Sequence, residues 1–110
     1  MKVVINKQYG GFGLSNEAAE ACVALGMDGW FGKMGNSLGG RRYYYCEHQD
    51  DKEFRCDPRL VQVVERLGSA ADGDFAKLVI VDVPFDTVDG WYIHYYDGME
   101  TIEQDHMSWG

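Results

Sequence analysis

Three glycines in four positions, Gly10, Gly11 and Gly13 around Phe12, separate an apolar run from a helix-like run in "KVVINKQYGGFGLSNEAAEACVALG". Glycine adopts positive φ at no steric cost, so this stretch predicts a sharp corner between two elements. The run before it, Lys2 to Asn6, is β-rich and short, and predicts a strand in the middle of a small sheet. After the corner Ser15 is placed to cap a helix, with Leu14 before it, Glu17 in the first turn and Gly26 to close it. Ala18, Ala19, Cys22 and Leu25 give that helix only a thin apolar stripe, so it must pack close to its partner.

Further along, "MDGWFGKMGNSLGG" holds five glycines and predicts an irregular excursion at about 27–40. "RRYYYCEH" predicts a strand from Arg41 to Glu47, with "QDDK" as the turn and Glu53 to Cys56 as a returning hairpin partner. A second helix is the clearest element. Asp57 fits its N-cap, Pro58 its first position, and Leu60, Val63, Val64 and Leu67 recur at helical spacing before Gly68. Valine is a poor helix former, so burial must hold this one together. "KLVIVDVP" and "WYIHYYDG" read as strands at Leu78–Val83 and Trp91–Gly98, expected to pair as an antiparallel hairpin. Alternation would set Trp91, Ile93 and Tyr95 on one face, with Tyr92, His94 and Tyr96 on the other. The tail "METIEQDHMSWG" is read as a short helical turn anchored by Trp109.

These elements fit one domain spanning residues 1–110. The expected class is α+β, a small three- to five-stranded mainly antiparallel sheet with two packed helices. An apolar fraction of 45%, with seven tyrosines and three tryptophans, supplies the material for one modest core. No apolar segment has the length of a membrane span, and the start lacks a secretory signal's apolar core, so a cytoplasmic location is expected. The three cysteines are then small fillers or free thiols, with a Cys46–Cys56 bridge as the alternative.

Charge is divided unevenly. Residues 1–46 carry a net +2, whereas residues 47–110 carry a net −10. A binder of long nucleic acid needs a basic stripe, and the Arg41-Arg42 pair is too short for one. An anionic ligand would have to be small and held by the amino-terminal half. The acidic half would suit a basic protein partner, or serve solubility.

A strand, a glycine turn and a helix start can together receive an anion, because free amides at the helix start face negative charge. Candidate contacts are the backbone of Gly10, Gly11, Phe12 and Gly13, the Ser15 hydroxyl and the Lys7 ammonium, with Tyr9 beside them. Arg41 and Arg42 would neutralise a phosphate, while Tyr9, Phe12 and Tyr44 would stack on the flat part of a ligand. The signal is weak, since "GGFG" matches neither G-x-G-x-x-G nor a Walker loop, and a tight turn explains the same composition. Likewise "RRYYYC" reads equally as an edge strand guarded by charge. His94 with Asp97 or Glu100 could form an acid–base pair, although a structural hydrogen bond is the plainer reading. No His or Cys pair has metal-ligand spacing, and Asp50-Asp51, Asp72/Asp74 and Asp86/Asp89 follow no calcium-loop register. Neither metal nor cofactor is expected.

The segments "KVVINKQYGGFGLSNEAAE", "DPRLVQVVERLGSAADGDFAKLVIVDVP" and "WYIHYYDGMETI" leading to "SWG" resemble a family of small proteins encoded largely by bacteriophages and prophages. Its marks are KVVIN-x-x-YGGFGLS at the amino end and a DP-x-LV-x-VVE-x-LG helix. The resemblance leaves out roughly residues 27–56, where the family has a short polar connection, and it carries no catalytic residues across. It implies a phage accessory protein acting in the host cytoplasm, of the kind that counters host defence. The first expectation is therefore a binder, not an enzyme, that sequesters a small anionic, nucleotide-like ligand; a homo-oligomer with its pocket at a subunit boundary is one form of it. The alternatives are an acidic module that docks on and inhibits a host protein, and, third, a small His/carboxylate hydrolase.

Overall fold

A computed structural model describes residues 1–36, 42–46, 48–104 and 107–110, with backbone alone at 33–36, 42–45 and 107. In chain order the elements are β1 (Lys2–Asn6), α1 (Asn16–Ala24), a single 3-10 turn at Asp28–Trp30, β2 (Phe31–Asn36), β3 (Arg42–Cys46), α2 (Lys52–Arg55), α3 (Pro58–Leu67), a second 3-10 turn at Gly68–Ala71, β4 (Leu78–Asp82), β5 (Tyr92–Tyr96), β6 (Met99–Gln104) and β7 (Met107–Trp109). The class is α+β and the pairing antiparallel. Instead of one sheet, the described strands form three small ones, β1-β4, β2-β3 and β5-β6-β7.

The β1-β4 ribbon is the middle layer. Val3, Val4 and Ile5 are fully buried, and their alternation divides the core in two. Val4 joins the helix side with Phe12, Cys22, Phe54, Leu60, Val63 and Val64. Val3 and Ile5 join the other side with Val83, Trp91 and Ile102, against which Trp109 packs. The helix starts follow the sequence. Ser15 Oγ accepts from the Ala18 amide at 3.1 Å, and the Asp57 carboxylate accepts from the Arg59 amide at 2.9 Å with Pro58 behind it.

Four expectations are corrected. β4 pairs with β1, Val4 opposite Ile80, and not with the tyrosine strand. β5 instead pairs with β6 through Asp97 and Gly98, whose φ values of 48° and 94° make the two-residue turn that matches strand twist. That local turn outcompetes a long connection from β4, and it turns the expected helical tail into β6 and β7. Third, Lys52–Arg55 is a helical turn because Asp51 caps the Glu53 amide at 2.9 Å and Phe54 and Arg55 both go inward. Fourth, the described part of the glycine-rich 27–40 stretch forms the 3-10 turn and β2 and not an irregular excursion. Met27 is fully buried, and β2 pairs with β3 from Phe31 opposite Cys46 to Asn36 opposite Arg42, with a bulge near Met34. Residues 37–40 lie outside the described residues. Cys22 and Cys56 are free thiols. Among the described residues no helix is long and apolar enough to cross a membrane.

Candidate functional site

β4 satisfies one edge of β1, and among the described residues no strand pairs with the other. The Lys7 amide bonds the Lys77 carbonyl and the Val83 amide bonds the Met1 carbonyl, so the groups of Val4 and Asn6 point to the open side. A side-chain pair fills it. Arg55 Nη1 donates to the Val4 carbonyl at 3.2 Å, and Glu100 Oε1 accepts from the Asn6 amide at 2.8 Å. Arg55 and Glu100 bind each other at 2.7 and 2.9 Å and are both buried. Arg55 also donates to the Gln49 carbonyl and reaches Asp50 at 3.5 Å, which engages all five of its N–H groups. Its guanidinium lies 3.6 Å above the Phe12 ring centre.

Beside this pair a cavity of about 420 Å³ opens to solvent. Gly10, Gly11 and Phe12 form one wall, Gln49, Asp50 and Arg55 a second, and Ile93, Tyr95 and Glu100 a third. The glycine corner reaches this place because it is clamped at both ends. A Cβ on Gly98 would stand 2.3 Å from the Gly11 nitrogen, and one on Gly73 would stand 2.7 Å from the Gly13 carbonyl carbon. The Gly73 amide donates to the Gly13 carbonyl at 2.9 Å, and the Gly10 amide to the Asp97 carbonyl at 3.2 Å.

The expected site residues therefore separate. Gly10, Gly11 and Phe12 line the cavity together, although Phe12 gives one ring face to Arg55. Gly13 and Ser15 are spent on the 70–73 segment, where Ser15 Oγ donates to the Ala70 carbonyl at 2.6 Å. Lys7 donates through Nζ to the Glu100 carbonyl at 3.2 Å, and Tyr9 is exposed outside the cavity wall. Arg42 and Tyr44 lie on β3, opposite Asn36 and Lys33, with their side chains outside the description. Arg41 lies outside the described residues. His94 does not meet Asp97 or Glu100, the carboxylates of the acid–base alternative. Its Nδ1 faces Glu103 Oε2 at 3.7 Å on the solvent side of the hairpin.

Sequence reading missed Arg55, Glu100, Gln49, Asp50, Ile93 and Tyr95 as cavity residues. One signal was available: an arginine inside "KEFRC", between apolar neighbours, needs a buried carboxylate if that turn is helical. Among the described residues no His, Cys, Asp and Glu group has the arrangement of a metal site. A second, more open hollow of about 470 Å³ lies between Met1, Lys2 and α3, with Cys56 in its wall. Burial pushes the Cys56 thiol upward. Comparison with known proteins finds no matching family model, no similar curated protein and no similar solved structure.

Proposed function

We propose that this protein is a small phage-type accessory protein that binds and holds a nucleotide-like molecule without turning it over. The cavity below Gly10 and Gly11 carries the reading. Its volume of about 420 Å³ is that of a small-molecule site, and it joins the glycine backbone of Gly10 and Gly11, polar Gln49 and Asp50, and Tyr95. Arg55 has no N–H left for a phosphate, and Asp50 and Glu100 would repel one. The ligand's flat end therefore enters and its anionic end stays at the mouth. Sequestration of a host signal in the cytoplasm is the role that the phage resemblance implies.

The test is to incubate the purified protein with a mixture of nucleotides, separate the complex, and denature it to release the ligand. Recovery of one nucleotide unchanged supports the reading. Uptake of none removes it.

A second reading, an acidic docking module, is favoured by one observation: Tyr92, Tyr95 and Tyr96 stand exposed on a single hairpin strand within the acidic half. Charge-neutralising changes at Asp86, Asp89 and Glu103 would then abolish capture of one basic host protein. Retention of that capture excludes it.

A further inference from the structure

The turn at Asp97 and Gly98 fixes which backbone groups of β5 meet β6. Two residues with positive φ close the hairpin, so Tyr96 and Met99 form a hydrogen-bonded pair. Pairs alternate along an antiparallel ladder, so the N–H and C=O groups of Ile93 and Tyr95 point away from β6. The Gly10 amide on the Asp97 carbonyl is the same edge seen one step further on. β5 is the outer strand of its sheet, and among the described residues nothing hydrogen-bonds the Ile93 or Tyr95 backbone on that side.

This bare edge is short and tethered at both ends. Lys52 Nζ holds the Trp91 carbonyl at 2.7 Å, and Gly10 holds the Asp97 carbonyl at 3.2 Å. Between them the open rungs at Ile93 and Tyr95 span about 7 Å, too short for a pairing strand but close to the width of one heterocycle. Both residues line the cavity under the glycine corner.

We infer that the Ile93 carbonyl and the Tyr95 amide read the ring of the ligand, which is a planar, uncharged heterocycle with a hydrogen-bond donor beside an acceptor. Nucleobases carry that pattern on their edges. The inference rests on the nucleotide-like reading of the cavity and specifies its chemistry. Main-chain groups carry the recognition, so the base side of the ligand supplies the affinity, and a free nucleoside binds nearly as well as its monophosphate.

The experiment titrates the ¹⁵N-labelled chain with adenosine, guanosine, cytidine, uridine and their 5′-monophosphates. At least one nucleoside should bind saturably, shift the Tyr95 amide resonance and slow its hydrogen exchange. Tyr95→Pro removes an outward N–H that β6 does not use, a change an edge strand tolerates, and should weaken binding about tenfold. Tyr95→Phe keeps the amide and should leave affinity within about threefold, a side-chain effect smaller than one lost hydrogen bond. Should Tyr95→Pro unfold the hairpin, amide exchange in the unaltered chain decides alone. Saturable binding with the Tyr95 amide unchanged overturns this inference and keeps the nucleotide reading. Saturation by none of these compounds overturns both.

Discussion

Arg55 and Glu100 face each other in a two-pronged contact, Nη1 to Oε1 at 2.7 Å and Nη2 to Oε2 at 2.9 Å, and together complete the edge of β1 with which no described strand pairs. A strand as buried as β1 must satisfy every amide and carbonyl, and here side chains replace a neighbouring strand. The same contact joins α2 to β6 through the core and supports one wall of the cavity.

Removing one partner strands the other charge in the interior. Glu100→Ala is expected to destabilise the fold by about 3–5 kcal/mol, and Arg55→Ala by a similar amount. The double variant should cost clearly less than the two single losses combined, because neither charge is then left alone. Urea unfolding of the three variants checks this, and additive losses would show that the pair is not coupled.

Gly98 sits at φ 94° with the Gly11 nitrogen only 2.3 Å from where its Cβ would be. Gly98→Ala combines positive-φ strain with a backbone clash and is expected to cost more than about 2 kcal/mol. Gly29, whose added Cβ would meet nothing within 4 Å and whose φ is not positive, gives the matched control. Gly29→Ala should change stability by less than about 0.5 kcal/mol. Thermal unfolding of the pair makes the comparison, and equal shifts would mean that the glycine corner is not clamped.

Asp57 caps α3 and its side chain also bonds Arg59 at 2.8 and 3.0 Å. The hydrogen bonds from the Arg59 side chain, ahead of a smaller opposing effect of burial, hold its carboxyl below the usual range. A carboxylate with a lowered native pKa stabilises the fold above its unfolded pKa, and that stabilisation is lost as pH falls through the native value. Asp57→Ala should therefore cost about 1 kcal/mol at neutral pH, and the gap to the parent chain should close in acid below the ordinary carboxylate range. Denaturant midpoints at pH 7 and under acid conditions measure it, and a gap that does not narrow counts against the assignment.

Cys22 lies in α1 inside the helix-side core, and burial pushes its thiol up to about 12. A thiolate is the reactive form, so native Cys22 should resist iodoacetamide at pH 8 and react fully once the chain is unfolded. The raised value also makes the folded state lose ground above the unfolded thiol pKa, because the unfolded thiol ionises first. Mass mapping of the labelled peptides reads the first effect, and rapid labelling of the native chain at Cys22 would contradict it.

The parts of this fold legible in the sequence are those governed by neighbouring residues. Ser15 and Asp57 announce their helices because capping is chemistry within three residues, and Lys2 to Asn6 is apolar enough to be a strand anywhere. Pairing was less readable. "KLVIVDVP" suits either β1 or β5, and only the backbone of Asp97 and Gly98 decides between them. The cavity was half legible for the same reason. Gly10, Gly11 and Phe12 advertise themselves, whereas Ile93 and Tyr95 enter through the outward side of a ladder whose register depends on that turn.

The strand Tyr92–Tyr96 has the composition of a sticky segment, aromatic and β-prone with no proline and no formal charge within it. Left bare along its length it would invite copies of itself to add on and grow into fibrils. Lys52 and Gly10 occupy its two ends, so too few consecutive rungs remain to template another chain. The tethers that shape the slot thus also shorten the stretch open to strand addition, and cutting either one is expected to promote self-association of the chain.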